Sequence, residues 1–404
     1  MTFNLTTPQA GDALSRKELT LYDLIMDYRE ENGLDAIPLS ENLTVTAGRH
    51  VADTLENIWG AGLDLAPGTN LHSWSDAPYY SDHRNPSVMW DAPNRIGASY
   101  PSSGFEISTA GPSGISAALD TWKGSAGHND VILNKGTWSS NDWNAIGIGV
   151  GHDPGAGPYG GYIYHVWFGR SVDPDGPPEI TGGAGAETLD GTIFADILLG
   201  LGGDDTLSGF AGRDLLNGGS GRDTLLGGSG NDIVIGGRGT DTASLGKGRD
   251  TFRDSGQGGA AGKDVVKAGP GQDRIKGGGG NDIFKGEAGK DKITGGKGKD
   301  RLDGGSGRDQ LDGNAGNDLL IGGGHKDTFI FSGKAFGRDR IKDFQNDIVK
   351  ITSAGEAETR AEFKDALKNT KAGVVYDHLG DGKNTITFVG DSLAEIEAAA
   401  VLFG

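Results

Sequence analysis

The chain has 404 residues, a net charge of −19, no cysteine and 73 glycines. The acidic balance excludes nucleic acid and anionic membrane surfaces, both of which reward basic patches, and the lack of cysteine excludes disulfides, thiol nucleophiles and thiolate-bound zinc. No stretch offers the roughly 18 apolar residues of a membrane span, and the opening MTFNLTTPQAGDALSRKEL lacks the apolar core of a cleaved signal.

All seven tryptophans lie before residue 170 and thirteen of the fourteen prolines before residue 180, after which Gly and Asp dominate. This predicts a globular segment over 1–170, a Pro/Gly linker over 171–181 and a repetitive remainder. In the first segment, Leu21, Leu24, Ile25 and Tyr28 share a helical face, and the helix ends at Asn32-Gly33. A second helix over about 41–58 opens with SENL and carries Leu43, Ala47, Val51 and Leu55.

YREENGLDAIPLSENLTVTAGRHVADTLEN, through Arg29, Gly33-Leu34, Leu39, Leu43, Ala47, His50, Ala52 and Asp53, resembles bacterial members of the CAP superfamily, the fold of cysteine-rich secretory, antigen 5 and pathogenesis-related proteins. LHSWSD (71–76), NRIGASYPSSGFEIS (94–108), AALDTWKGSAGHNDVIL (117–133) and NAIGIGVGHDPGAGPYGGYIYHVWFGR (144–170) are similar to later segments of that family. The resemblance implies an α/β/α sandwich with a cleft of two His and two Glu. It assigns His72, Glu106 and His128 to three of those places. No acid stands in KGSAG (123–127) for the fourth, and Ile107 replaces the family's Asn.

Two imidazoles and a carboxylate suit zinc or another divalent ion. His72, Glu106 and His128 are therefore the candidate metal ligands and the candidate catalytic residues, with Glu106 as ligand or general base. The other open reading makes them a hydrogen-bonded core cluster that fixes the loops. His50 reads as a packed or capping histidine, His83 as loop, and His152 and His165 as strand or turn, while His325 and His378 lie outside the segment. Ser103, Ser108 and Ser125 invite a hydrolase reading with His128, which no Gly-x-Ser-x-Gly elbow supports.

Residues 182–330 read in nines, as in GGSGRDTLL, GGSGNDIVI, GGKGKDRLD and GGSGRDQLD. An acid recurs at the sixth place: Glu187, Asp196, Asp205, Asp214, Asp223, Asp232, Asp241 and Asp250. After a five-residue insertion near 254–258 it recurs at Asp264, Asp273, Asp282, Asp291, Asp300, Asp309, Asp318 and Asp327. The eighth place is apolar, for example Leu207, Leu216, Leu225, Ile275, Phe284 and Leu320. Early glycines permit tight turns, the last three places form a short strand with one inward side chain, and such a unit depends on stacked neighbours. Two units per coil set each Asp beside Gly carbonyls, a hard oxygen site suited to calcium.

The nonapeptide resembles the RTX repeat, a calcium-binding parallel β-roll. The expected calcium ligands are the fourteen aspartates from Asp205 to Asp327 in that series. Glu187 and the glycine-poor GTIFADILL (191–199) predict a first coil without metal. Lys263, Lys290, Lys292, Lys297 and Lys299 stand near acids of the second run, either weakening calcium or offsetting Asp–Asp repulsion.

Residues 331–404 lose the period. GRDRIKDF (337–344), NDIVKI (346–351), GVVYDHL (373–379) and NTITFVG (384–390) read as strands and AEFKDALKN (361–369) as a helix, a small mostly-β cap. The segment resembles the uncleaved terminal region of proteins exported by the type I pathway, which implies secretion from a Gram-negative cell and the type I machinery as a partner.

Three functions follow from these readings. One is a secreted calcium-binding protein whose head binds an extracellular ligand, surface or matrix component. A second is a metal-dependent hydrolase or peptidase using His72, Glu106 and His128. The third is a passive matrix or surface protein.

Overall fold

The computed structural model describes residues 14–62, 70–80, 85–157, 159–254, 262–332, 335–345, 347–352, 360–377, 380 and 382–403. His83, His378 and most of the expected break near 254–258 lie outside them. The chain forms two compact units, Met1–Ile180 and Thr181–Gly404.

In the first unit, α1 (Arg16–Glu31) opens with a capping box. Ser15 accepts from the Glu18 N–H, and the Glu18 carboxylate accepts from the Ser15 N–H. It stops at Asn32, followed by Gly33 at φ +74°. Ser40 caps α2 (Glu41–Ala52), which runs on into a π-helical turn over Asp53–Trp59. Two short helices, α3 (Ser87–Trp90) and α4 (Ala92–Arg95), precede strand β1 (Gly104–Ala110). Then come α5 (Ile115–Gly124) and α6 (Ala126–Ile132), with only Ser125 between them. Strands β2 (Ala145–His152) and β3 (Tyr162–Gly169) complete an antiparallel sheet in the order β1-β3-β2. The unit is thus a set of helices with a small sheet.

Glycines in the sequence NAIGIGVGH decide how α2 meets that sheet. A Cβ at Gly147 would overlap the Leu43 carbonyl, and one at Gly149 would lie 2.5 Å from the Ala47 carbonyl carbon and oxygen. Without side chains there, α2 lies directly on β2, and the next inward residue of the helix, His50, reaches the sheet. Residues 171–180 belong to this unit. Asp173 is buried and accepts from Ser40 Oγ (2.5 Å), Asn42 N (2.9 Å) and Asn42 Nδ2 (2.7 Å), which fixes the segment expected as linker to the start of α2.

The second unit is a parallel β-solenoid. Its strands form two parallel sheets in which each residue pairs with the one 18 positions on, as in Leu207↔Leu225 and Leu302↔Leu320 in one and Leu198↔Leu216 in the other. Pairing continues across the insertion, with Ala243↔Val266 and Phe252↔Ile275, so the extra residues leave the register intact. The eighth-place side chains are fully buried, from Leu198 and Leu207 to Leu320 and Phe329. Each inward Leu contributes about 2 kcal/mol by burial, against about 1–2 kcal/mol to fix each residue of its strand. No coil is stable alone, and stacking supplies the difference.

The nonapeptide ends at 330, but the roll does not. Arg338–Lys342 and Ile348–Thr352 add to the two sheets in parallel, and Thr385–Val389 and Ala400–Phe403 add once more. The acid columns follow, with spacings of 21 and 20 residues to Asp339 and Asp347. In the next rung Ile386, not an acid, stands opposite Asp339. The sheet then turns antiparallel through Gly373–Asp377 and Leu367–Thr370. The expected helix is Arg360–Ala366, and a second one, Leu393–Ala398, is capped by Ser392.

Candidate functional site

In the head, β1 and β3 pair with Glu106 opposite Trp167 and Ser108 opposite His165, while Gly149 of β2 faces His165 from the other side. Glu106 is buried among three imidazoles. His50 Nδ1 lies 2.7 Å and His165 Nδ1 2.6 Å from Oε1, and His72 Nδ1 lies 2.7 Å from Oε2. His50 is stacked between Trp74 (4.2 Å, 6°) and His165 (3.9 Å, 18°).

The protonation states follow from the partners. His50 gives Nδ1 to a carboxylate and Nε2 to the Ser73 carbonyl (2.9 Å), two acceptors, so both nitrogens carry protons and the ring is an imidazolium. Burial works against that charge, but the Glu106 charge and hydrogen bond raise the His50 pKa. Burial likewise opposes ionised Glu106, and His50 and His165 outweigh it, holding the carboxyl well below its usual range. Burial, then the His50 charge, pushes His165 down to about 4, so it is neutral. Glu106, His50 and His165 are thus one anion, one cation and one neutral imidazole.

The candidate residues are only partly brought together. His72 and Glu106 meet, and both act on His128 electrostatically, yet no hydrogen bond joins His128 to either among the described residues. The His128 Nδ1 is buried without a partner, and burial, then His72, lowers its pKa. Three ligand atoms within reach of one ion come instead from His50, Glu106 and His165. Their 2.6–2.7 Å contacts are hydrogen bonds, whereas ligands about 2.0–2.2 Å from a tetrahedral zinc stand further apart than that. Glu106 holds three imidazoles in this arrangement. Ser108 Oγ lies 2.9 Å from His165 Nδ1 and 3.3 Å from His72 Nδ1, the same nitrogens that face Glu106. A serine triad needs the far ring nitrogen, so Ser108 is not arranged as a nucleophile.

In the roll, the two acid columns form ladders. Each Asp Oδ1 accepts from the backbone N–H of the acid one coil earlier, as in Asp214 N to Asp232 Oδ1 and Asp282 N to Asp300 Oδ1, both 2.9 Å. The other oxygen, Oδ2, is buried without a partner at every expected calcium aspartate from Asp205 to Asp327 except Asp264, and also at Asp339. Beside it is a gap. A Cβ at Gly209 would lie 2.5 Å from Asp214 Oδ2 and 2.7 Å from the Gly227 carbonyl oxygen, and one at Gly304 would lie 2.6 Å from Asp309 Oδ2 and 2.7 Å from Gly322 O. Burial pushes Asp214, Asp241, Asp282 and Asp318 up to about 7. A carboxylate oxygen without a protein partner and a carbonyl oxygen close to the same glycine, with the charge otherwise disfavoured, are the hard oxygen donors a divalent cation takes.

The first coil differs from those that follow. Asp196 Oδ2 accepts from Thr192 N (2.6 Å) and Thr192 Oγ1 (3.0 Å), so it has no orphaned oxygen to offer. Lys263, Lys290, Lys292, Lys297 and Lys299 are exposed, and among the described residues none forms an ion pair with an aspartate of the columns.

The family model for the RTX calcium-binding nonapeptide repeat matches residues 181–216, 190–225, 208–243, 217–252, 258–293, 276–311 and 303–333. Residues from about 179 to 352 form an RTX β-roll. No curated protein matches the chain. Among solved structures, the extracellular lipase LipA from Serratia marcescens is similar at 18% identity, over 56% of this chain and 42% of that one, with a TM-score of 0.26. The chain thus spans under half of that lipase's length, and a likeness at this score transfers neither fold nor activity to the head. No described helix is long and apolar enough to cross a membrane.

Sequence reasoning missed His50 and His165 as members of the Glu106 cluster. The one available signal was spacing: Leu43, Ala47 and His50 share the inward face of α2.

Proposed function

We propose that the chain is a secreted calcium-binding protein whose RTX roll folds where calcium is available and whose first unit, read as a CAP-type head, binds an extracellular ligand, a surface or a matrix component. The ladder of buried, unpartnered Asp Oδ2 atoms carries this reading, because each needs a cation that the protein does not supply. RTX rolls are typical of secreted proteins, and the tail is read as a type I export address. Binding is favoured over catalysis in the head because Glu106 is already neutralised by His50 and has no proton to exchange with a substrate. Deletion of residues 355–404 should leave the protein inside a cell that carries type I machinery, while deletion of residues 1–170 should not. Export of the tail-less chain would refute the address.

One observation supports the metal-dependent hydrolase as a second reading. His72 turns Nδ1 to Glu106, and His128 holds an unpartnered Nδ1, so a divalent ion in the head would be held by these two imidazoles. Such an ion would supply Lewis-acid polarisation. Metal content of the full chain with and without His72→Ala and His128→Ala decides it, provided calcium is counted separately.

A further inference from the structure

The second run of the roll is basic on its outside although the chain is acidic. Residues 247–301 hold 13 lysines and arginines against eight acids. Six of those acids, Asp250, Asp264, Asp273, Asp282, Asp291 and Asp300, are buried in the columns, and only Asp254 and Glu287 stand elsewhere. Once a divalent ion neutralises the columns, nothing in this stretch balances the outer cations.

On one sheet these cations share a face. Side chains of consecutive strands stand in register one coil apart, Arg253 beside Lys276 and Arg274 beside Lys292. All four are exposed, on strands about 4.8 Å apart. Like charges so placed repel, and among the described residues no acid forms an ion pair with any of them. Asp312 borders the face one coil beyond Lys292 and accepts from Ser332 Oγ at 3.2 Å.

Two adjoining surface grooves run beside this face. Arg249 and Arg274 line both, Arg213 lines the first, and Lys290 and Lys292 line the second. Asn231, Gln272 and Gln310 stand among them. Asn231 Oδ1 already accepts from Arg249 N at 2.8 Å, so its amide has donors left to offer. The column acids that also line the grooves, Asp232, Asp250, Asp273 and Asp291, each give Oδ1 to a backbone N–H one coil earlier.

We propose that this face binds an acidic polysaccharide, an extended chain with a carboxylate or sulfate on its sugars, laid along the roll. A cation row repeating at the strand spacing suits a linear polyanion, and guanidinium forks suit its planar carboxylates. Single-stranded nucleic acid draws on aromatic stacking, and the face presents Thr, Arg and Lys instead. The exposed large apolar side chains of the roll, Ile193, Leu201, Phe210, Leu226 and Leu402, lie on other coils, so the face has no anchor for a membrane. The inference rests on calcium as the ion of the roll, because empty columns restore negative charge beside the same cations.

The test is fluorescence anisotropy of a labelled galacturonate hexamer, with an acid on every sugar, mixed with the full chain in millimolar calcium. Binding should saturate, weaken as salt rises and vanish in chelator, and a neutral glucose hexamer should not compete. Arg274→Gln with Lys292→Gln should weaken binding about tenfold and, with the repulsion gone, should melt no lower than the wild type. Arg222→Gln, which removes an exposed cation paired with Asp204 at 3.2 Å, should leave affinity unchanged. If the double variant loses its calcium-dependent circular dichroism, Arg253→Gln with Lys276→Gln decides in its place. Equal affinities of wild type and double variant, or tighter binding of a single-stranded oligonucleotide of equal charge, would overturn the proposal. A wild type that binds calcium by calorimetry but not the hexamer would overturn this surface alone. One that binds no calcium would overturn the ion of the roll and this surface with it.

Discussion

In the head, the most deeply buried carboxylate is enclosed by its own partners: three imidazole nitrogens within 2.7 Å of Glu106, one of them on a cation. In the roll, a dozen or so equally buried aspartates each have one oxygen bonded to backbone and the other to nothing. Both units bury charge at a cost of several kcal/mol per ion. The head meets that cost with residues encoded in the chain, and the roll leaves it to the solvent. Stability of the first is set by sequence alone, and stability of the second by the surroundings. The comparison also offers a clean way to watch each unit, since every tryptophan lies in the head and the far-ultraviolet β signal comes mostly from the roll.

The largest effect expected is from removing calcium. With excess chelator at pH 7.5, the β signal should collapse while tryptophan emission stays native, because ligand binding in the roll is folding free energy. Parallel loss of both signals would erase the distinction between the units. Next comes Glu106→Gln. The amide keeps the shape but leaves the His50 imidazolium buried without its anion, a loss of about 3–5 kcal/mol. Thermal melts followed by tryptophan emission should drop sharply, with the calcium-dependent β signal unaffected.

A smaller effect is acid rescue. In the folded roll Asp214, Asp241, Asp282 and Asp318 titrate near 7, above the 3.8 of the unfolded chain. Raised carboxyl values mean that stability is fully present below pH 3.8 and is lost as pH rises towards 7. In chelator, therefore, lowering the pH from 8 to 5 should restore part of the β signal. With calcium bound the ligands are already ionised and the same change should weaken the roll instead. Equal pH profiles with and without calcium would contradict the assignment of these aspartates as ligands.

What could be read beforehand depended on period. One residue per coil performs one task, so the sixth and eighth places announced the columns and the core, and the missing glycines around Asp196 announced a coil whose carboxylate Thr192 now occupies. Past residue 330 the coil length changes to 21 and then 20 residues, and the continuation of the roll through Asp339 and Asp347 became invisible to a count in nines. In the head, His72 was legible in the sequence as a partner of Glu106, and the two meet at 2.7 Å. His165 was not, because β3 is buried on nearly every residue and shows no alternation from which to infer a face. His50 looked like packing, and it does pack, against Trp74. Its charge comes from Glu106, 56 residues away, and no local pattern shows that.

The rung that ends the first column has a wider consequence. A parallel stack whose every coil presents the same edge has no intrinsic length, and copies of it could join end to end into a fibre. Here Ile386 stands where the next aspartate would be, so nothing accepts a further backbone N–H through a carboxylate. Beyond it the chain reverses into an antiparallel hairpin whose outer strand, Leu367–Thr370, carries exposed Lys368 and Asn369. An incoming coil would find hydrogen bonds in the wrong spacing and a charge in its path. In that sheet the tail thus presents an incoming parallel coil with an edge unlike that of the coils before it.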